Sequence, residues 1–320
     1  MYVRTLYSKN DHNFSRQMIT SIPLRKINVR DNRFRISYPA ANEMLLSSIK
    51  KVGIIQPVVL LEGPPFTVVT GFRRVEAAKQ LGLKKVPAVT VKLGEKEGIF
   101  FAIHDNLHRG LNIIEKAHAL KKMVTMGFPE SELHEVMALF SLGPHEKILA
   151  HLTAVARAEE PLKHFIIEHA LSMKTIEYML WFEKGERKKI MSTLAATRLT
   201  ESYLREILEM LHLIKIKKGR FVSGVLKYVG NAQELRARLK KIVYPRLSSL
   251  ENKLEKIRRA SALPPALDIR VDPFFEKEYI DITIRAKSEK ETRELLGKLD
   301  EVLQKGHIRS ILELTKGRVR

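Results

Sequence analysis

The chain has 320 residues, 44% of them hydrophobic, and a mean hydropathy of −0.16, which allows two or three domains with ample core. It has no cysteine, which excludes disulfides, zinc–thiolate sites and thiol catalysis and is compatible with a bacterial cytoplasm. Its net charge of +21 divides into +10 over residues 1–95, −2 over 96–180, +12 over 181–260 and +1 over 261–320, and two basic blocks around a neutral one point to a polyanionic partner, with bare solubility as the competing explanation.

Residues 1–20 read as an N-terminal arm: Arg4, Lys9, Asp11, His12 and Arg16 occur there without the apolar stretch of a secretory signal. No apolar run approaches the ~20 residues of a membrane span, so a cytoplasmic protein is expected. Ile22–Ile27 predicts a short strand, and Arg30 to Arg35 a basic loop carrying one aromatic, Phe34. Met44, Leu45, Ile49 and Val52 recur as one face of a helix that Gly53 ends. Gln56-Pro57 opens a strand over Val58–Leu61, and Gly63-Pro64-Pro65 turns the chain into a second one, Phe66–Val69.

That strand stops at Gly71, and a helix begins with Arg73 and Arg74 in its first turn, carries Val75, Ala78 and Leu81 on one face, and ends at Gly82. Cations at a helix N-terminus oppose the macrodipole by ~0.3–1 kcal/mol each. The placement becomes favourable if a polyanion sits there, held by free backbone N–H groups and two guanidinium forks. A strand–helix corner with two solvated arginines is the alternative. Val86–Val91 predicts a last strand, closing a small α/β domain (residues 21–95).

Asp105-Asn106-Leu107-His108-Arg109 follows, and helical spacing would put Asp105 and Arg109 on one face. Such a group can hold Mg²⁺ together with a phosphate oxygen, or form an ordinary surface ion pair worth ~0.3–0.5 kcal/mol. Residues 111–182 read as almost wholly helical. Two helices are expected there, 131–139 and one with Pro144 at its first position, which by themselves could form a structural hairpin. Residues 96–230 are thus expected as one helical domain, with basic helices after 181 and a boundary near 219–231. A basic linking helix (231–263) should run from Gln233 to Ala260 with a kink at Pro245. Two alternating strands, Leu267–Val271 and Tyr279–Arg285, and a helix capped by Ser288 and Glu291 then form a small ββα domain (264–320). The eleven histidines show no metal-ligand spacing.

Three boxes in order, Gly53-Ile54-Ile55-Gln56-Pro57, Gly71-Phe72-Arg73-Arg74 and Asp105-Asn106-Leu107-His108-Arg109, resemble those of the ParB family of DNA-partition proteins, in which the third opens a helix. The resemblance implies an α+β fold: a ParB/sulfiredoxin-like N-terminal domain, a helical domain with a helix-turn-helix-like unit over about 130–156, and a C-terminal dimerisation domain. It implies a CTP site with Mg²⁺ formed by Gln56, Gly71, Phe72, Arg73, Arg74, Asn106, His108 and Arg109, with Asp105 as the metal ligand and Arg33 or Arg35 as further phosphate ligands. The expected partners are double-stranded DNA, a second copy of the chain and a ParA-type ATPase, with no membrane, in a nucleoid-associated setting. His145 and Lys147 of the helix-turn-helix, and Lys188, Lys189, Lys217, Lys218 and Arg220 of the basic helices, are the expected DNA contacts.

Where the family commonly has a glutamate, this chain has Phe72, so at most slow nucleotide hydrolysis is expected and no catalytic residue is assigned. Sulfiredoxin chemistry is excluded by the absence of cysteine. A nuclease would want clustered carboxylates, and a small-molecule kinase would not need the basic helices. A regulator or adaptor that keeps the fold without partition remains as the other reading.

Overall fold

The computed structural model describes residues 18–39, 43–194, 199–226 and 231–316. All but the last residues of the expected N-terminal arm lie outside them. The fold is α+β, and the chain divides into two compact units at Leu171/Ser172.

In the first unit a five-stranded mixed sheet forms from β1 (Thr20–Pro23), β2 (Ile27–Asn28), β3 (Val58–Leu61), β4 (Phe66–Thr70) and β5 (Lys85–Val91), in the order β1-β5-β3-β4-β2. The single strand expected over Ile22–Ile27 is broken by a 3-10 turn at Leu24–Lys26, which sends β1 and β2 to opposite edges. β3 pairs antiparallel with β4 and parallel with β5, so it is central, and Val58 and Leu60 are fully buried. Helix α1 (Glu43–Val52) ends at Gly53, and α2 (Phe72–Gln80) leaves the end of β4 directly.

Helix α3 (Glu95–Leu107) starts where the Glu97 carboxylate takes the Gly94 N–H (2.9 Å). It lies close against the loop before α1, because Gly98 has no side chain: a Cβ there would stand 2.5 Å from a ring carbon of the fully buried Phe34. The third box therefore closes this helix, where the resemblance had it opening one. The boundary expected near residue 95 falls where α3 packs on β4 and on α4 (Ile113–Thr125). Helices α5 (Glu130–Leu139) and α6 (Glu146–Arg157) follow, both against α4, with α7 (Glu160–Glu168) also packed on it. Pro144 precedes the cap of α6, which is His145, instead of occupying its first turn.

The second unit holds α8 (Met173–Leu180), α9 (Lys184–Leu194), α10 (Glu201–Lys218), α11 (Ala232–Val243) and α12 (Pro245–Ser261). Pro245 breaks the expected long helix outright: without an N–H, and clashing with the preceding turn, it takes the first position of α12 after an interrupting Tyr244. The antiparallel pair β6 (Leu267–Val271) and β7 (Ile280–Ile284) and helix α13 (Glu289–Gln304) match the expected C-terminal order. A further helix after Gly306, α14 (His307–Thr315), was not anticipated. Ile308, Ile311 and Leu314 of α14 complete a core with Leu267, Ile269, Leu295 and Val302, to which α12 adds Leu254. Among the described residues no helix is long and apolar enough to cross a membrane.

Candidate functional site

The sequence of the strand–glycine–helix corner accounts for its geometry. Gly71 has φ +91°, and a Cβ there would lie 2.8 Å from Val58 Cγ1 and 3.2 Å from Arg74 Nε, so only glycine fits between the central strand and the arginine. The turn delivers the N-terminus of α2 to a cleft of about 230 Å³. Every expected nucleotide-site residue, Gln56, Gly71, Phe72, Arg73, Arg74, Asp105, Asn106, His108 and Arg109, lines it.

The arginines differ in what holds them. Arg74 donates from Nη1 to the carbonyls of Gln56 and Pro57 (2.8 Å each). Burial pulls its pKa below the usual guanidinium value, opposed by the charge of Asp105. Arg73 donates to Tyr38 O (2.6 Å), Pro39 O (3.0 Å) and Glu115 Oε1 (2.9 Å). Arg109 forms a fork with Glu115 (Nη1 to Oε2 2.9 Å, Nη2 to Oε1 2.7 Å) and donates from Nε to Asn106 Oδ1 (2.8 Å). Because α3 stops at Leu107, Arg109 leaves the helical face of Asp105 and turns to Glu115 instead.

Glu115 is the residue that sequence reasoning missed. Its side chain is 1% exposed, and it also accepts from the backbone N–H groups of Tyr38 (3.1 Å) and Asn112 (3.1 Å). Asn112 caps α4 and gives its amide N–H to Tyr38 O (2.7 Å). The available signal was Asn112-x-x-Glu115 ahead of an apolar run, a capping box, which says nothing of two incoming arginines.

Arg33 and Arg35, the further phosphate candidates, do not line this cleft. Arg33 pairs with Asp31 (2.9 Å) and Glu95 (3.0 Å), and Arg35 with Glu76 (2.5 Å) while lying over the Phe72 ring. Phe72 itself is buried.

Two hydroxyls face the cleft without hydrogen-bond partners, Ser37 Oγ and Thr70 Oγ1, both shielded from solvent. Unpaired buried hydroxyls cost ~1–3 kcal/mol each and are normally satisfied by a ligand or water. Asp105 is the carboxylate of the cleft, and among the described residues no group of three His, Asp or Glu gathers to hold a metal.

The chain matches the ParB N-terminal domain family over residues 8–107. Full-length similarity is weaker. The probable chromosome-partitioning protein ParB of Vibrio cholerae is 29% identical over 165 residues, 51% of this chain and 55% of that protein. The nucleoid occlusion protein of Bacillus cereus is 28% identical over 205 residues, 60% of this chain and 68% of that one. The chain thus spans about half the length of the Vibrio relative. Among solved structures, C-terminally truncated ParB of Caulobacter crescentus complexed with CTP-gamma-S is 18% identical with a TM-score of 0.27, covering 63% of this chain and 98% of that one. The same protein complexed to the centromeric parS site is 17% identical with a TM-score of 0.32, covering 69% and 99%.

The expected DNA contacts lie elsewhere. His145 and Lys147 are exposed at the start of α6, with Glu146 between them. Lys188 and Lys189 are exposed on α9. Lys218 ends α10 and Arg220 lies just beyond it, both exposed, whereas Lys217 donates to Val243 O (2.9 Å).

Proposed function

We propose that this chain is a ParB-like DNA-binding protein whose N-terminal domain binds a cytidine triphosphate with Mg²⁺ and uses it to control a clamp on DNA. The observation that carries the reading is the Gly71 corner: a glycine at φ +91° where a Cβ would crowd Val58, a helix N-terminus, and Arg74 bonded to two neutral carbonyls. Such an arrangement is costly for an empty fold and suited to a phosphate. Thr70 and Ser37 would donate hydroxyls, Arg74 would supply charge, and Gln56 and His108 would shape the walls. Asp105 fits Mg²⁺, which takes one or two carboxylates plus phosphate oxygens, and the ion would screen phosphate charge. Arg73 and Arg109 would act through Glu115, keeping the wall in shape, unless the ligand draws them away from it.

Thermal melting of the chain with each of four nucleoside triphosphates, with and without Mg²⁺ and DNA, tests the nucleotide reading. CTP at 100 times its dissociation constant should stabilise the fold by ~2.7 kcal/mol, and Arg74→Ala should remove the effect. No response to any nucleotide would overturn it.

DNA binding through His145, Lys147, Lys188, Lys189, Lys217, Lys218 and Arg220 is proposed on charge and exposure. The log of affinity should fall with log salt by roughly 0.9 per phosphate neutralised. Dimerisation through residues 264–320 is supported by Ile282, Leu296 and Leu303, apolar residues left exposed around a small core. Sedimentation of a chain ending at residue 263 would test it. A ParA-type ATPase partner and a nucleoid location follow if partition is the role. A regulator or adaptor would show the same ligand and DNA behaviour, and genome-wide occupancy separates the two.

A further inference from the structure

A second cleft in the first unit, of about 910 Å³, opens between the segment around residues 32–39 and helices α4 and α7. It shares Ser37 with the first cleft and is otherwise separate from the Gly71 corner. Five Lys and Arg side chains line it against one carboxylate, Glu160.

Three of these cations are neutralised: Arg33 by Asp31 and Glu95, Arg35 by Glu76, and Lys163 by Glu160 (2.9 Å). Lys121 and Lys122 are not. Lys122 gives its ammonium to the neutral carbonyl of Asn32 (2.8 Å), and among the described residues Lys121 has no carboxylate partner.

The field is felt inside. Burial chiefly, then Lys121 and Arg35, pull Lys122 below the usual ammonium value, with Asp31 opposing. Burial, then Lys163 and Lys122, take the His118 imidazole down to about 4, against Glu160 and a hydrogen bond to the Ile36 backbone. The Tyr38 ring forms one wall, with the rings of His118 and His164 centred 5.9 and 5.5 Å from it. The volume falls in the ~300–1,000 Å³ range of small-molecule sites and exceeds what one phosphate fills.

We propose that this cleft is a second anion site, which binds the phosphates of a nucleotide-sized ligand through Lys121 and Lys122 with its organic part against Tyr38 and His164. It does not depend on the reading of the Gly71 cleft. The same phosphate chemistry could come from a free oligophosphate or nucleotide, or from a DNA backbone strand entering the cleft.

The test uses the full chain carrying Arg74→Ala, which removes the main cation of the first cleft, and sodium tripolyphosphate as the probe. Calorimetry should still detect binding. Lys121→Glu or His164→Glu, each on an accessible position, should weaken it at least tenfold, and side-chain NMR should show the His118 and His164 imidazole signals moving on titration. In the otherwise unaltered chain, Lys121→Glu alone should remove one binding equivalent, whether or not the first cleft contributes another, which guards against a folding defect from Arg74→Ala. If tripolyphosphate does not bind but short duplex DNA does, and Lys121→Glu weakens the duplex at least tenfold, the phosphates come from DNA. The proposal is overturned if tripolyphosphate binding vanishes with Arg74→Ala while Lys121→Glu leaves both tripolyphosphate and duplex binding unchanged in the otherwise unaltered chain.

Discussion

Glu115→Gln removes one charge while keeping the side chain's shape, and the structure sets the cost. The carboxylate accepts five hydrogen bonds, three of them from Arg73 and Arg109, at 1% exposure. An amide has one acceptor oxygen, and its NH₂ would meet either the Arg109 Nη1 donor or the Arg73 and Arg109 Nη2 donors. At least two bonds are then lost, one or more charge-assisted at ~1.5–3 kcal/mol, and two guanidinium groups stay behind half-buried. Breaking a buried ion pair from one side costs ~3–5 kcal/mol, so a loss of about 4 kcal/mol is expected. In calorimetry the transition of the first unit should fall by roughly 8–16 °C, at 2–4 °C per kcal/mol for a body of this size. Combining the change with Arg109→Gln should recover part of the loss, since the stranded cation is gone. A drop below about 1 kcal/mol would show that Glu115 is not the anchor of the two arginines.

Gly71→Ala should destabilise by about 1–3 kcal/mol, because it forces a Cβ against Val58 at a positive φ; urea unfolding checks this, and CTP binding should weaken in parallel. The His118 pKa lies below its free value of 6.5, at about 4, so the unfolded chain binds the extra proton. Stability is whole above pH 6.5 and drains as pH falls from 6.5 towards 4; unfolding measured across that window should show this slope, and His118→Gln should flatten it. Nucleotide hydrolysis should be slow or undetectable with Phe72, and phosphate release from Phe72→Glu should be faster if the corner is otherwise intact; DNA-stimulated release at an ordinary rate from the unaltered chain would refute the role given to the missing carboxylate. That side chain would also enter a buried position beside Arg35, whose present partner is Glu76.

The corner was legible because its signals are local: a β-branched run, a glycine and a helical repeat lie within the sixteen residues from Phe66 to Leu81. The cleft residues came from three boxes whose order the fold preserves, and the structure brings all of them to one cleft. What holds them was not legible. Glu115 meets Arg73 and Tyr38 across 42 and 77 positions of sequence, and no periodicity encodes such pairings. Asp105 and Arg109 have the spacing of helical neighbours, but the helix had already ended at Leu107. The break at Tyr244 was misread as a kink because the apolar pattern runs through it, although proline is better tolerated at a helix start than inside one. Helix α14 was missed as nine residues behind a glycine, too short to stand out without the core that it closes.

Tyr38 lines the larger cleft and is bonded to an arginine that lines the smaller one. Its carbonyl takes Arg73 and Asn112, and its N–H is held by Glu115, while its ring stands between two imidazoles of the larger cleft. One residue is thus a party wall, its backbone bonded to Arg73 of one chamber and its side chain lining the other. If an occupant of either chamber shifts that wall, linkage requires the debt to be symmetrical: the factor by which the first ligand changes affinity for the second is the factor by which the second changes affinity for the first. A measurement of that single factor, made from either side, would report how rigidly the segment around Tyr38 is held.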